Sequence, residues 1–254
     1  MSIVDLASRM KAARLDARLL TQVHDGLVTT LDDAYRLQAE LIGLSHGAVK
    51  GWKVTALAAS DQMKFSSSRP VAGPLLGPYV RDAPTQVRVS SLIAPLLECE
   101  VAFVLSSDLP ARAEPYTQTE IESVIAAIVP VFELADLRVP ASSSDLMKLA
   151  DVMGNGLFIV GQRIDDWRQF DLSAIPVSLN HDGVTIGNGS SGRILGNPLL
   201  AVIALANAQP LPEPGLRAGQ IITTGTCTTP IGISVGTYTA DFGPLGRVEM
   251  TVLP

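Results

Sequence analysis

The 254-residue chain has few of the residues on which metal–thiolate sites, disulfide scaffolds and nucleic-acid-binding surfaces depend. Its two cysteines, Cys99 and Cys227, lie far apart and form no C-x-x-C spacing, which fits a reduced, cytoplasmic protein better than a disulfide-bonded one. Aromatic residues make up 5% of the chain, and the net charge is −6. A chain with few aromatic side chains on which bases could stack, and with no basic stripe, is not expected to bind nucleic acid.

Several common catalytic and targeting signatures are also missing. No Gly-x-Ser-x-Gly stands between a strand and a helix, and there is no phosphate-binding Gly-x-x-x-x-Gly-Lys-Ser/Thr loop. Of the three histidines, His24 and His46 fall in a predicted helical region and His181 at a predicted turn, so a nucleophilic triad is poorly supported. We expect no signal peptide and no membrane span, because the N-terminus lacks the required pattern and apolar runs are short.

The most informative stretch is an apolar segment, 97–105, that contains two acids. Glu98 and Glu100 are two residues apart, and such side chains on a strand point to the same face, with Cα atoms roughly 7 Å apart. The spacing therefore predicts two neighbouring carboxylates on one face of a strand.

This pair has two interpretations, and the spacing leaves both open. Alternating acids often form the solvated face of an edge strand. Here, however, residues 101–105 are apolar without alternation, and two buried like charges would need a positive partner. A third acid, Glu133, lies in another apolar run. Three carboxylates with no histidine or cysteine partner favour Mg²⁺ or Mn²⁺ over zinc.

The periodicity predicts a helical N-terminal part followed by a strand-rich part. Helices at 2–14 and 31–43 define an N-terminal helical subdomain, residues 1–48, packed on a catalytic domain, residues 49–254. Further helices are predicted at 118–128, 144–150 and 198–207. Strands are predicted at 49–55, 87–90, 98–105, 129–136, 157–161, 175–180, 184–186, 220–224, 233–239 and 247–253. Residues 56–80, rich in Ser, Pro and Gly, are predicted to form a long irregular loop.

Ten short fragments, from about residue 30 onward, can be compared as an ordered set with the motifs of known families. They are AYRLQ (34–38), GWKV (51–54), PVAGPL (70–75), ECEVAFVL (98–105), FELADLR (132–138), Asp151, GNP (196–198), LAN (205–207), GQII with TGTCT (219–228) and FGPLGRV (242–248). In this order they resemble the fumarylacetoacetate hydrolase superfamily, in its hydratase/decarboxylase branch. That branch includes 2-oxopent-4-enoate hydratases and 4-oxalocrotonate decarboxylases of aromatic meta-cleavage pathways.

The resemblance implies an α+β fold and an activity. The fold would be a mixed, mainly antiparallel β-roll or barrel with outer helices and an N-terminal helical subdomain. The activity would be that of a Mg²⁺- or Mn²⁺-dependent lyase, a hydratase that acts on a 2-oxo or 2-hydroxy-dienoic acid through a metal-bound enolate. The resemblance implies a cytoplasmic homo-oligomer and allows for a pathway partner enzyme.

The resemblance also assigns residues by position. The metal ligands would be Glu98, Glu100 and Glu133. The catalytic residues would be Lys53, Asp136 and Asp151, with Lys53 near the substrate carboxylate and enol oxygen, either neutralising charge or transferring a proton if burial lowers its pKa. The substrate-binding residues would be Arg69, Leu75, Arg138, Gly154, Asn155 and Thr226.

The chain also departs from the family pattern at two places. The Gly-Leu-Thr after the lysine is replaced by Thr-Ala-Leu at 55–57, and Ala-Asp-Asn-x-Ser-Ser-Gly is replaced at 150–156, so that Gly154 or Asn155 stands where the family has serine. These departures predict a substrate other than simple 2-hydroxypentadienoate.

Rival functions remain open at this stage. The hydrolase branch's Asp-x-x-x-Phe-x-x-x-Gly-Pro segment is missing, and the third acid is Glu133, not aspartate, which favours a hydratase or decarboxylase over an acylpyruvate C–C hydrolase. A 4-oxalocrotonate-type decarboxylase would share the enolate step. A catalytically silent family member would bind metal without turnover, and a simple carboxylate-binding module would bind without metal.

Overall fold

The computed structural model of the protein describes residues 1–23 and 25–254, so His24 lies outside the described residues. Its α-helices are α1 (Ile3–Leu15), α2 (Leu31–Leu44), α3 (Ala59–Gln62), α4 (Gln118–Ser123), α5 (Asp145–Ala150) and α6 (Leu199–Ala206). Ser2 and Thr30 cap α1 and α2, each with an aspartate three residues later completing the capping box. None of the helices in the described part combines the length and apolarity needed to cross a bilayer.

The strands form two sheets. They are β1 (Val49–Thr55), β2 (Val71–Leu76), β3 (Val80–Asp82), β4 (Thr85–Arg88), β5 (Leu96–Leu105), β6 (Ile125–Ala135), β7 (Asn155–Val160), β8 (Pro176–His181), β9 (Val184–Ser190), β10 (Ile221–Thr226), β11 (Ile231–Gly232), β12 (Gly236–Asp241) and β13 (Arg247–Leu253). The larger sheet has the order β2-β1-β10-β5-β6-β7-β3, with β11 on β5, and the smaller has the order β4-β13-β12-β8-β9.

Both sheets are mixed and mainly antiparallel. In the larger sheet β1 runs parallel to β10, and β3 runs parallel to β7. In the smaller sheet β4 runs parallel to β13. The other strand pairs are antiparallel. The predicted α+β fold, a curled mixed sheet with outer helices, is confirmed.

Two local predictions were wrong. Residues 56–80 were expected to form an irregular loop, but they include α3 and β2, because Val71–Leu76 pairs antiparallel with β1. The helix expected at 118–128 ends at Ser123, and the chain enters β6 at Ile125. The β-branched run after Ser123 pairs with β5, and this tertiary pairing outweighs the helical spacing.

The central strand β5 separates two environments. Leu97, Cys99, Val101 and Phe103 belong to the main core, which also contains residues of the smaller sheet such as Met250. The opposite face carries the two acids and then an apolar patch with Ala102 and Val104. Both faces of β5 are therefore covered by protein, as its long apolar run requires.

The N-terminal helices cover the acidic side of the larger sheet. Apolar residues of α1 and α2 share one cluster with Val71 of β2 and Met147 of α5. The buried amide of Gln38 on α2 donates to the Leu149 carbonyl at 2.6 Å and to the Ala72 carbonyl at 3.2 Å. These bonds tie α2 to α5 and to β2, the edge strand of the larger sheet.

Gly51 allows β1 to lie against β10. A Cβ built on Gly51 would lie 1.8 Å from the Ile221 carbonyl oxygen, a backbone atom that cannot move aside. We expect Gly51→Ala to block the pairing and prevent stable folding. Gly43→Ala, on α2 with open space around it, should instead stabilise the helix by up to about 1 kcal/mol. Urea unfolding of both variants tests this; equal stabilities would contradict the strand geometry.

Candidate metal centre

Three glutamates from two neighbouring strands converge on the covered face of the larger sheet. Glu98 of β5 lies directly opposite Glu133 of β6 in the antiparallel register, and Glu100 follows two residues along β5. One carboxylate oxygen from each residue lies within 4.8 Å of the others. The strand spacing thus places two acids on one face, and cross-strand pairing adds the third.

The carboxylates are removed from water to different degrees. Glu133 is fully buried and Glu100 is 1% exposed, whereas Glu98 is partly exposed. Lys53, on β1, lies on the same side with its Nζ 2.7 Å from Glu133 Oε1 and 4.0 Å from Glu98 Oε2. One ammonium therefore serves three carboxylates, and an excess of negative charge remains.

The pKa directions follow from this crowding. Burial, and then the charges of Glu133 and Glu98, raises the pKa of Glu100 to about 8. Burial also raises the pKa of Glu98. For Lys53 burial alone would lower the pKa, but the three carboxylates outweigh it and raise the pKa above its ordinary value. In the metal-free protein Lys53 is therefore charged, and the proton-transfer role that a depressed lysine pKa would allow remains a prediction.

The site's composition fits a divalent cation. Glu133 Oε2 is buried with no hydrogen-bond partner among the described residues, although a buried carboxylate oxygen normally has one. When all three carboxylates are ionised, one ammonium leaves two negative charges unbalanced, and a divalent cation such as Mg²⁺ or Mn²⁺ would neutralise them. The donor atoms are all oxygens, the ligands that such hard ions prefer.

Two further groups hold the carboxylates in place. The Gly225 backbone N–H donates to Glu100 Oε2 at 3.0 Å. The amide of Asn155 is buried, and its Nδ2 donates to Glu133 Oε1 at 3.3 Å. Asn155 was predicted to bind substrate, but its side chain contacts a proposed metal ligand.

A cavity of about 550 Å³ opens beside the triad. Its charged lining residues within the described chain are Lys53, Glu98, Glu100 and Lys148. The remaining lining residues are mostly apolar or small: Leu19, Val54, Thr55, Ile93, Ala94, Leu96, Ala135, Leu137, Val139, Ala141, Met153, Gly154, Gly225 and Thr226. An apolar space with a few charged groups suits a small organic acid.

Asp136, Arg138 and Asp151 form a buried network behind the cavity wall. Asp136 accepts from the backbone N–H groups of Ile93 and Ala94 at 2.8–3.2 Å, and those two residues line the cavity. Arg138 Nε donates to Asp151 Oδ1 at 2.8 Å. None of the three is among the described residues that line the cavity, and their observed contacts position its wall. The catalytic and substrate-binding roles expected of them stay predictions.

The other predicted substrate residues divide into two groups. Gly154 and Thr226 line the cavity. Arg69 lies in a separate cavity, and its guanidinium donates to the Gln209 carbonyl at 2.6 Å. Leu75 is fully buried in an apolar cluster with Ala102. The structure therefore does not bring Arg69 or Leu75 to the triad.

Sequence reasoning missed two features of the cavity. Lys148, which lies in the helix predicted at 144–150, lines it from α5. Val152, Met153 and Gly154 adopt consecutive left-handed conformations, with φ of 47°, 54° and 69°. A β-branched residue there is rare, and such strain is concentrated at functional sites. Only the glycine at 154 hinted at it.

Comparisons with known proteins agree with this geometry. No protein-family model matches the chain. It is 28% identical to a 2-keto-4-pentenoate hydratase of Burkholderia vietnamiensis over 98% of this chain and 97% of that one. It is 27% identical to a 2-oxo-hept-4-ene-1,7-dioate hydratase of Escherichia coli, over 87% and 86% of the two chains.

A solved structure shares the fold over nearly the whole chain. The structure of 4-oxalocrotonate decarboxylase from Pseudomonas putida G7, complexed with magnesium and adipate, superposes with a TM-score of 0.88 at 23% identity, over 99% of this chain and 97% of that one. The hydratase relatives and the shared fold support the predicted place of this chain in the hydratase/decarboxylase branch of the fumarylacetoacetate hydrolase superfamily.

Metal binding should depend on pH through Glu100. Because its pKa is raised to about 8, the free protein holds a proton on this carboxyl at pH 7, and a cation must displace it. We expect Mg²⁺ affinity to rise from pH 6 towards pH 8 by at most about tenfold per unit, the limit for one proton. Calorimetry in buffers of different ionisation enthalpy would show proton release; pH-independent affinity without release would contradict the assignment.

Proposed function

We propose that the protein is a divalent-metal-dependent lyase, a hydratase, acting on a short 2-oxo or 2-hydroxy-dienoic acid of the kind met in aromatic catabolism. The observation that carries the proposal is the convergence of Glu98, Glu100 and Glu133 beside Lys53, at one side of a largely apolar cavity. The hydratase names of the relatives support the reaction type. The metal is proposed to be Mg²⁺ or Mn²⁺.

The metal would supply Lewis-acid chemistry. When held by the three glutamates, it would polarise the 2-oxo group of the substrate and stabilise negative charge on that oxygen. Asn155 and Gly225 would keep two of the carboxylates oriented, since each donates a hydrogen bond to one of them.

Lys53 would act as a fixed positive charge. The residue is 8% exposed and its ammonium contacts Glu133, so it lowers the repulsion among the carboxylates. It also borders the cavity, where it would attract the carboxylate of a substrate. The apolar walls would hold the carbon chain and limit the entry of water.

A decarboxylase is the second candidate, because the neighbour with a TM-score of 0.88 is one. Hydration and decarboxylation share the enolate-forming step and differ in what happens at the far end of the substrate. Product analysis separates them, since only the decarboxylase releases CO₂ and an acylpyruvate hydrolase releases two acids. A catalytically silent protein would release nothing.

Loss of one ligand tests the proposed function. We expect Glu98→Ala to abolish turnover of 2-hydroxy-dienoic acids and to weaken Mg²⁺ binding at least tenfold, because a charged ligand is lost. Absorbance of the dienoate in the ultraviolet and calorimetric Mg²⁺ titration measure these effects. Glu98 is the most exposed of the three, so the fold should survive, as circular dichroism would show.

The matched control is Glu249→Ala, which removes an exposed glutamate from β13 in the smaller sheet. This variant should keep wild-type activity and metal binding. Full, EDTA-insensitive activity in Glu98→Ala would refute the lyase assignment.

Assembly and location stay predictions from the resemblance. A homo-oligomer, a pathway partner enzyme, a cytoplasmic location and a catalytic domain at residues 49–254 are proposed on that basis. Light scattering of the purified protein measures the number of subunits.

A further inference from the structure

The cavity has a second cation besides Lys53. Among the described lining residues, Lys53 and Lys148 are the two cations, and they reach the cavity from different elements. Lys53 comes from the sheet and contacts Glu133, whereas Lys148 comes from α5. The triad therefore does not account for Lys148.

The position of Lys148 is fixed by packing. Its neighbours Met147, Leu149 and Ala150 are buried, and the Leu149 carbonyl accepts the 2.6 Å bond from Gln38. Ser144 caps the helix by accepting from the Met147 N–H. Lys148 is thus presented on the open side of an anchored helix turn.

The ammonium of Lys148 is only weakly engaged. Its ion pair is with Asp145, three residues earlier, at 3.5 Å, and the Asp145 side chain is 41% exposed. Pairs of this kind contribute little and are readily exchanged for a better partner. The Lys148 side chain itself is 23% exposed, so an incoming anion would find a cation that is partly shielded from water.

The cavity lining includes apolar residues as well as the carboxylate end and Lys148. Leu137, Val139 and Met153 line the cavity together with Lys148. A substrate bound at the triad by its 2-oxo acid end would lay its carbon chain along these residues. A neutral chain end would leave Lys148 without a ligand partner, whereas a second carboxylate would complete a charge-assisted hydrogen bond there.

We infer that Lys148 recognises a second, distal carboxylate, so that the preferred substrate is a 2-oxo dicarboxylic acid and not a 2-oxo monocarboxylic acid. This inference rests on the proposed function, because it assumes that the 2-oxo acid end is bound at Glu98, Glu100 and Glu133. Lys148 is then a specificity residue, and the triad remains the place of the reaction.

Matched pairs of unreactive, saturated 2-oxo acids test the inference by binding alone. The probes are 2-oxo acids of five, six and seven carbons, each with and without a terminal carboxylate, titrated by calorimetry into protein with saturating Mg²⁺. We expect at least one dicarboxylate to bind about tenfold more tightly than its monocarboxylate partner, the size of effect expected from one charge-assisted hydrogen bond.

Substitution of Lys148 should remove this preference selectively. Lys148→Gln is expected to weaken the dicarboxylate about tenfold and to leave the monocarboxylate of equal length unchanged, while Lys148→Arg keeps the preference. The matched control is Lys64→Gln, which removes an exposed lysine that also has an i,i+3 aspartate partner, from a segment packed on α5 outside the cavity. That variant should bind both probes as wild type does.

The outcomes separate this inference from the proposed function. If the wild type binds both members of every pair equally, or if Lys148→Gln weakens both equally, the distal-carboxylate assignment is wrong. If 2-oxo acids bind wild type and Glu98→Ala alike and without Mg²⁺, the proposed function itself fails. With reactive substrates, the assignment also predicts that Lys148→Gln raises KM for the dicarboxylic dienoate with kcat little changed.

Discussion

The repulsion among three buried carboxylates is the constraint on which the rest of the structure depends. One carboxylate oxygen from each of Glu98, Glu100 and Glu133 lies within 4.8 Å of the others on a covered sheet face, and one lysine balances only part of their charge. Such an arrangement is costly for the free protein, because burial and like charges both oppose ionisation. The arrangement becomes favourable when a divalent cation supplies the missing positive charge, so the fold favours binding of such an ion.

The surrounding structure keeps this arrangement in register. Cross-strand pairing sets Glu98 opposite Glu133, and β1 brings Lys53 to the same side because Gly51 lets it lie close to β10. Behind the wall, Asp136 holds the cavity-lining backbone at 93–94. The sheet therefore supplies the charged end of the cavity, and the helices and loops supply its apolar walls and Lys148.

The sequence predicted what depends on short-range spacing and missed what depends on distant contacts. Two acids at i and i+2 predict a shared face whatever the tertiary structure, so Glu98 and Glu100 were placed together correctly. Strand β2 was missed because its Pro- and Gly-containing residues become a strand only by pairing with β1. Arg69 lies elsewhere because its contact is with the Gln209 carbonyl, 140 residues away, which no local pattern encodes.

Crystals grown with Mn²⁺ and measured at the manganese absorption edge test the central claim most directly, because anomalous scattering locates the ion independently of activity. The account predicts one strong peak bonded to oxygens of Glu98, Glu100 and Glu133, at roughly 2.0–2.2 Å as for hard ions of this size. A peak elsewhere in the molecule, or none between these carboxylates at millimolar Mn²⁺, would contradict it.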